Sequence, residues 1–215
     1  MSNRPSLLRD RRFLPMFLTQ FSGALNDNVY KQALLLVITY GLIAQQSAQI
    51  STLNNLAALL FILPYFIFSA TAGQIADKYE RAQLVRYLKA AEIVIMLLGT
   101  AGFLLGNLWL LLLALFLMGT QSTFFGPIKY AILPEVLKSD ELMSGNALFQ
   151  SGTSIAILVG MILGGSMIAL SDGNLMWVSG TVLCLASLGY LASRFILKQN
   201  IPAPDLNIDW NFFRT

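Results

Sequence analysis

The sequence contains no histidine and a single cysteine, and only 12% of its 215 residues are charged. Without histidine there is no imidazole acid–base chemistry, no histidine–metal site and no histidine–aspartate acyltransferase motif. Cys184 lies alone in an apolar run, which excludes intrachain disulfides and Cys/His metal clusters. The chain also lacks a nucleophile-elbow pattern and a phosphate-binding glycine loop, so nothing in this segment reads as an enzyme. The residues call for no cofactor. A net charge of +3 and a pI near 9.1 raise the question of nucleic acid. The basic residues form no face with interleaved aromatics, however, and sit at the edges of apolar runs, so a nucleic-acid partner is not expected. The N-terminus has no small-residue cleavage site, and its first apolar run continues far past signal-peptide length.

What the chain has instead is apolar length. Hydrophobic residues make up 56%, and the mean hydropathy is +0.65. Soluble domains carry about 45–50% apolar and about 25% charged residues. With half that charge there is too little polar surface to cover a globule in water, and lipid must cover the rest. Six apolar segments stand out: Phe13–Ile43, Leu53–Ile75, Leu84–Leu105, Leu108–Leu133, Gly145–Leu170 and Met176–Leu197. Each meets the roughly 20 residues a helix needs to cross a ~30 Å hydrocarbon core, and none alternates as a barrel strand does. An all-α membrane protein with six transmembrane helices is the expected fold.

Lysine and arginine set the expected orientation. Arg4, Arg9, Arg11 and Arg12 precede the first segment. Lys78 and Arg81 lie between the second and third, with Arg86 at the start of the third, and Lys138 between the fourth and fifth. Arg194 lies at the end of the sixth, and Lys198 and Arg214 follow it. The alternate connections, 44–52, 106–107 and 171–174, carry no positive charge. By the positive-inside rule both ends are cytoplasmic. Three parts follow: a cytoplasmic N-terminus (1–12), the six-helix bundle (13–197) and a polar connector (198–215) containing Pro202, Pro204, Asp205, Asp209 and Trp210, which reads as a linker to further sequence.

The first segment is interrupted by Gln20, Asn26, Asp27, Asn28 and Lys31. On a 3.6-residue period Gln20, Asp27 and Lys31 share one face, with Gly23 and Ala24 between them, and Asp27 and Lys31 are spaced to neutralise each other in part. An ionisable group near the bilayer centre costs at least about 2.5–3.5 kcal/mol, so it marks a bundle interior or a water-filled cavity. The fourth segment repeats the theme with Thr120-Gln121-Ser122, Phe124-Phe125-Gly126-Pro127 and Lys129. Ser122, Gly126 and Lys129 share a face, and Gly126-Pro127 invites a kink. Thr120-Gln121 echoes Thr19-Gln20, as expected if the six helices form two inverted three-helix repeats with a site between segments one and four. Lys129 has an alternative reading as a side chain snorkelling to the interface. Lys89 and Glu92 of the third segment read as a snorkelling pair near its cytoplasmic end. Gly152, Ala156, Gly160 and Gly164 form a small-residue stripe that lets another helix approach closely.

Gly73-Gln74-Ile75-Ala76-Asp77-Lys78-Tyr79-Glu80-Arg81 resembles the cytoplasmic signature between helices two and three of the major facilitator superfamily. Gly73, Asp77, Lys78 and Arg81 match that gating motif, while Glu80 stands where the pattern has glycine. An aspartate here is suited to capping a helix start and to pairing with arginine across a gate. Phe17-Leu18-Thr19-Gln20-Phe21 with Gly23-Ala24-Leu25-Asn26-Asp27-Asn28, and Phe125-Gly126-Pro127-Ile128-Lys129-Tyr130 with Ile132-Leu133-Pro134-Glu135, are similar to the bacterial lysophospholipid transporter branch. Within it, the chain resembles the transporter module fused ahead of acyltransferase and acyl-carrier-protein ligase domains. The resemblance implies the N-terminal half of a major facilitator fold, with a second six-helix half as partner. It also implies inward movement of lysophospholipid, chiefly lysophosphatidylethanolamine, across the bacterial inner membrane for reacylation. Asp27 and Lys129 inherit candidate roles in handling the headgroup or a coupling ion whose identity stays open. The alternatives are an exporter of amphipathic drugs on the same scaffold, and a membrane anchor for an acyltransferase.

Overall fold

The computed structural model describes residues 7–40, 50–171, 174–198, 203 and 205. Arg4, Arg214, Trp210, most of the first interhelical connection and nearly all of the C-terminal connector lie outside the described residues. Among the described residues a 3-10 turn, Leu7–Arg9, precedes six helices: α1 (Leu14–Thr39), α2 (Ile50–Lys78), α3 (Arg81–Leu104), α4 (Leu108–Val136), α5 (Leu142–Leu170) and α6 (Leu175–Ser193). No strand occurs among the described residues.

Helix ends follow local chemistry. Asn107 caps α4, its side chain accepting from the Leu110 amide at 3.2 Å. Gly106, at φ 62°, supplies the left-handed residue that turns the chain between α3 and α4. Asn174 caps α6 by accepting from Met176 N–H at 3.0 Å. Four helices outrun their apolar segments by three residues at the basic end: α2 and α4 end at Lys78 and Val136, and α3 and α5 begin at Arg81 and Leu142. Hydropathy marks contact with lipid, whereas backbone hydrogen bonding continues into the interface. α6 is shorter than its apolar run, because the chain turns at Arg194 and tucks Ile196 (4% exposed) against the bundle.

α2 to α6 are long and apolar enough to cross a membrane on length and hydropathy alone. α1, at 26 residues, has the length, but its polar interruptions dilute it. It is nonetheless among the most enclosed helices, together with α4, whereas α2 buries only Pro64, Thr71, Ala72 and Ala76. The helix with the polar interruptions, α1, sits inside and the apolar α2 faces outward, as expected in a solvent that penalises exposed polar groups.

α1 packs chiefly on α5 and α6, α4 chiefly on α2 and α3, and α3 on α6. Exchanging α1 with α4, α2 with α5 and α3 with α6 maps this pattern onto itself. Successive helices run in opposite directions, so α1 and α4 are antiparallel and the two three-helix repeats are inverted. The small residues of α5 make its side of this packing: a Cβ at Gly160 would lie 2.7 Å from the Leu25 carbonyl of α1, and one at Gly164 would lie 2.6 Å from that of Val29. On the repeat-related pair, Gly119 of α4 lies against the Phe61 backbone of α2.

The interior is layered. One apolar cluster, including Val29, Tyr30, Met96, Phe103, Leu111 and Val182, fills the end whose connections carry no lysine or arginine. There the Tyr30 hydroxyl donates to the Leu111 carbonyl at 2.8 Å. A second cluster, including Phe13, Met16, Val85, Ile132 and Phe149, fills the basic end. Cross-links hold that end together: Arg12 donates to the Val136 carbonyl at 3.2 Å and pairs with Glu141 at 3.5 Å. The Arg12 guanidinium also holds the Asp10 carboxyl below the usual carboxylate range.

Candidate functional site: a polar layer between two apolar ones

Between the two apolar clusters lies a layer of polar side chains from α1, α3, α4 and α5. At its centre Lys89 Nζ pairs with Glu92 Oε2 at 2.6 Å, and each side chain is 2% exposed. Asn26 Nδ2 donates to Glu92 Oε1 at 3.0 Å and Gln121 Nε2 to Glu92 Oε2 at 3.3 Å. Glu92 thus joins three helices through one carboxylate. The Lys89 stem passes between two glycines: a Cβ at Gly23 of α1 would strike its ammonium, and one at Gly189 of α6 would lie 3.6 Å from its Nζ. The Phe125 ring lies 5.3 Å from the same ammonium, within cation–π reach.

This corrects the reading of Lys89 and Glu92 as a snorkelling pair. Glu92 lies eleven residues into α3, roughly 16 Å at 1.5 Å per residue. That is about half of a ~30 Å core, and a glutamate side chain is far too short to reach the interface. Depth was the available signal, and the proximity of Lys89 to a charged helix start masked it.

Next to this pair is a cavity of about 230 Å³, bordered by five helices. Of the residues singled out in the sequence, Gln20, Asp27, Lys31, Gln121, Ser122 and Lys129 line it. Asn26 does not; it holds Glu92 from behind. Ser122 Oγ of α4 donates to Asp27 Oδ2 of α1 at 3.0 Å. Gln20 Nε2 donates to Thr153 Oγ1 of α5 at 3.1 Å. Asp27 and Lys31 do not form the contact pair their spacing suggested: among the described residues Asp27 has no cation within 4 Å. Lys31 Nζ lies instead 4.4 Å from the Phe61 ring centroid, and Lys129 Nζ 5.0 Å from that of Tyr130. Beside the Lys89–Glu92 pair, which also borders it, the cavity therefore holds an acid and two lysines in separate places rather than as a second neutral pair. Thr153, Phe61, Tyr65 and Phe125 also line it; Phe125 belongs to the fourth-segment motif, whereas Phe61 and Tyr65, aromatics in an apolar run, carry no sequence signal. A Cβ added at Gly126 would meet no atom within 4 Å, and α4 continues as one helix through Gly126-Pro127 and Pro134.

The connection between α2 and α3 is built around Arg81, which is 7% exposed. Its guanidinium donates to the Ala76 carbonyl at 3.1 Å, pairs with Asp77 at 3.2 Å and makes a close ion pair with Glu135 at the end of α4. Lys78 extends over the Tyr79 ring at 5.9 Å. The helix cap expected of Asp77 belongs to Glu80, whose carboxylate accepts from the amides of Ala82 (3.0 Å) and Gln83 (2.8 Å). Asp77 lies in the last turn of α2, before the break, and so has no free amides to cap. Glu80→Ala is expected to lower thermal stability by about 1 kcal/mol, the usual worth of an N-cap; an unchanged melting temperature would show that α3 is held by packing alone. Gly73 meets nothing within 4 Å of its Cβ position and faces open space.

Six membrane-spanning helices in two inverted repeats, with charge held at mid-depth beside a cavity, define a carrier-type membrane bundle. The sequence profile of the Major Facilitator Superfamily matches residues 16–210, and the chain belongs to that superfamily. It is similar to the lysophospholipid transporter LplT of Photorhabdus laumondii, 30% identical over 170 residues, covering 78% of this chain and 38% of that protein. It is likewise similar to the LplT proteins of Yersinia pestis (strain Pestoides F) and Yersinia pseudotuberculosis (serotype O:3, strain YPIII), each 27% identical over 199 residues, or 91% of this chain and 44% of the relative. The chain thus spans less than half the length of these relatives.

Proposed function

We propose that this chain is the N-terminal six-helix half of a lysophospholipid transporter. It moves lysophospholipid, chiefly lysophosphatidylethanolamine, inward across the bacterial inner membrane for reacylation. The observation that carries this reading is the junction of two cavities of unlike chemistry. The polar cavity around Asp27, Lys31 and Lys129 shares Lys31 and Phe61 with an apolar pocket, also of about 230 Å³, lined by Leu34, Leu35, Ala57, Ala58, Ile62 and Leu115. A lysophospholipid has the same two parts. Its phosphate suits a lysine ammonium, and its amine suits the Asp27 carboxylate. Its single acyl chain gains about 0.8 kcal/mol per methylene removed from water. The hydrogen bond from Ser122 keeps Asp27 oriented towards the cavity.

In this reading both ends of the chain are cytoplasmic, residues 1–12 and 198–215 flank the bundle at 13–197, and a second six-helix half forms the opposite wall of the pathway. Gly73, Asp77, Lys78 and Arg81 serve the cytoplasmic gate, with the Arg81–Glu135 pair as its lock, and fused acyltransferase domains receive the product. Asp27 is also the candidate for a coupling ion.

The test is uptake of radiolabelled lysophosphatidylethanolamine into membrane vesicles holding the whole transporter. Asp27→Ala and Lys129→Ala are each expected to reduce initial uptake at least tenfold with protein abundance unchanged, since each removes one charge complement to the headgroup. Normal uptake by both variants would sink the assignment of the site. Extrusion of amphipathic drugs by a wild-type protein that takes up no lysophospholipid would favour the exporter.

A further inference from the structure

The first turns of α3 and the end of α6 border a third cavity, of about 520 Å³, which shares no lining residue with the polar one. Arg86, Arg194 and Lys198 border it, with a single acid, Glu80. The Glu80 carboxylate is taken up by the α3 amides. Three cations face one acid, which leaves the pocket two charges positive. Arg86 is fixed in place: its Nη2 donates to the Ile196 carbonyl at 3.0 Å, while its Nε is buried with no hydrogen-bond partner among the described residues. Arg194 Nη1 donates to the Tyr190 hydroxyl at 3.2 Å, its guanidinium 6.0 Å from that ring. The pocket therefore contains one anchored guanidinium with an unsatisfied donor and two exposed cations beside it.

What lies further along the same two helices decides the kind of anion. α3 continues towards mid-membrane with Val94 and Leu97 exposed at 65% and 52%, and α6 with Leu188 and Leu191 at 52% and 56%. Tyr87, 64% exposed at the rim, takes the interfacial place typical of membrane aromatics. A basic pocket at the foot of an apolar, lipid-facing surface matches an amphiphile with an anionic head and long chains, and basic pockets between helices at this membrane face suit anionic headgroups. A soluble anion would have no use for the apolar surface.

We propose that this α3–α6 pocket binds the headgroup of an anionic membrane phospholipid with a phosphatidylglycerol-type phosphodiester, whose acyl chains lie along Val94, Leu97, Leu188 and Leu191. The bound phosphodiester is held by the charge of the Arg86 guanidinium and by hydrogen bonds from the Arg194 and Lys198 side chains. The site is separate from the polar cavity and does not depend on what that cavity transports.

The experiment is native mass spectrometry of the whole protein, released from micelles containing equal phosphatidylglycerol and phosphatidylcholine. Wild type is expected to retain phosphatidylglycerol in preference to phosphatidylcholine. Arg194→Gln/Lys198→Gln, both at exposed positions, is expected to weaken phosphatidylglycerol retention by roughly fivefold per charge removed, with phosphatidylcholine unaffected. Arg86→Lys, which keeps the charge and loses the anchored guanidinium, is expected to weaken it by a smaller factor. Three results would overturn the proposal: retention unchanged in the double variant, an equal loss in the remote pair Arg11→Gln/Lys138→Gln, or displacement of the lipid by millimolar inorganic phosphate. The first denies the pocket, the second reduces it to general surface charge, and the third makes it a site for free phosphate.

Discussion

Glu92→Ala is expected to destabilise the bundle by about 3–5 kcal/mol, the cost of leaving a buried charge without its partner. Lys89, 2% exposed, would keep its ammonium between two glycines and an aromatic ring with no carboxylate in reach. The Asn26 amide would also lose its acceptor, and Gln121 would keep only the 3.5 Å contact to the Leu88 carbonyl, so the connections from α1 and α4 to α3 weaken together. Out of a net stability of some 5–15 kcal/mol, such a loss decides whether the protein folds at all. The measurement is thermal unfolding in a lipid bicelle, read by helical circular dichroism. Lys89→Met/Glu92→Leu is expected to regain most of the loss, because removing both charges leaves no buried ion to solvate. A single variant that melts within a degree or two of wild type would show that water reaches Lys89. A double variant as unstable as the single would show that the hydrogen bonds matter more than the charge balance.

The second large effect is steric. Gly160→Leu is expected to cost about 1–3 kcal/mol, at the upper end for overpacking. Its Cβ alone would lie 2.7 Å from the Leu25 carbonyl and 2.9 Å from Asn28 Cβ. The nearest atom belongs to backbone, which cannot rotate away, so α1 and α5 must separate. Separation would also move Asp27, two residues beyond Leu25, away from Ser122, and Gln20 away from Thr153. The substitution is therefore expected to lower both melting temperature and lysophospholipid uptake. Gly180→Ala is the matched control: no atom lies within 4 Å of its Cβ position, and stability should be unchanged or slightly higher, since alanine favours helix. Equal behaviour of the two variants would mean that the stripe at Gly152, Ala156, Gly160 and Gly164 does not set the interhelical distance.

How much of the site was legible depended on the kind of signal. Asp27, Lys31, Gln121 and Ser122 stood out because each breaks an apolar run in the middle of a segment, where lipid tolerates no interruption, and Lys129 because it falls on the face of Ser122. Lys89 and Glu92 did not, because α3 begins with Arg81, Gln83 and Arg86 and its charge density falls off gradually. A gradient of charge resembles an interface, and only the packing of α1, α4 and α6 around the pair shows that the interface ends before it. Pairing was no easier to read. Asp27 and Lys31 have the spacing of partners on an isolated helix, yet Ser122 from α4 takes the carboxylate and Phe61 from α2 faces the ammonium. Similarly, glutamate at position 80 of the loop signature reads as a defect in one dimension, whereas in the fold the α3 amides receive it.

The sequence by itself determined that the chain crosses a membrane as six helices and that the first and fourth are interrupted by polar residues at depth. These follow from properties of single segments: an apolar run of sufficient length must satisfy its own backbone in lipid, and only a helix does so. Which side chains meet across helices was decided by the tertiary structure alone. The joining of Glu92 to Asn26 and Gln121, the separation of Asp27 from its nearest lysine, the junction of polar and apolar cavities at Lys31, and the basic pocket between α3 and α6 all rest on contacts between residues far apart in the chain. Hydropathy and periodicity act along one helix and say which face is polar. Rotation and spacing between helices come from side-chain packing, here from glycines that let backbones approach, and these determine what each polar face is turned towards.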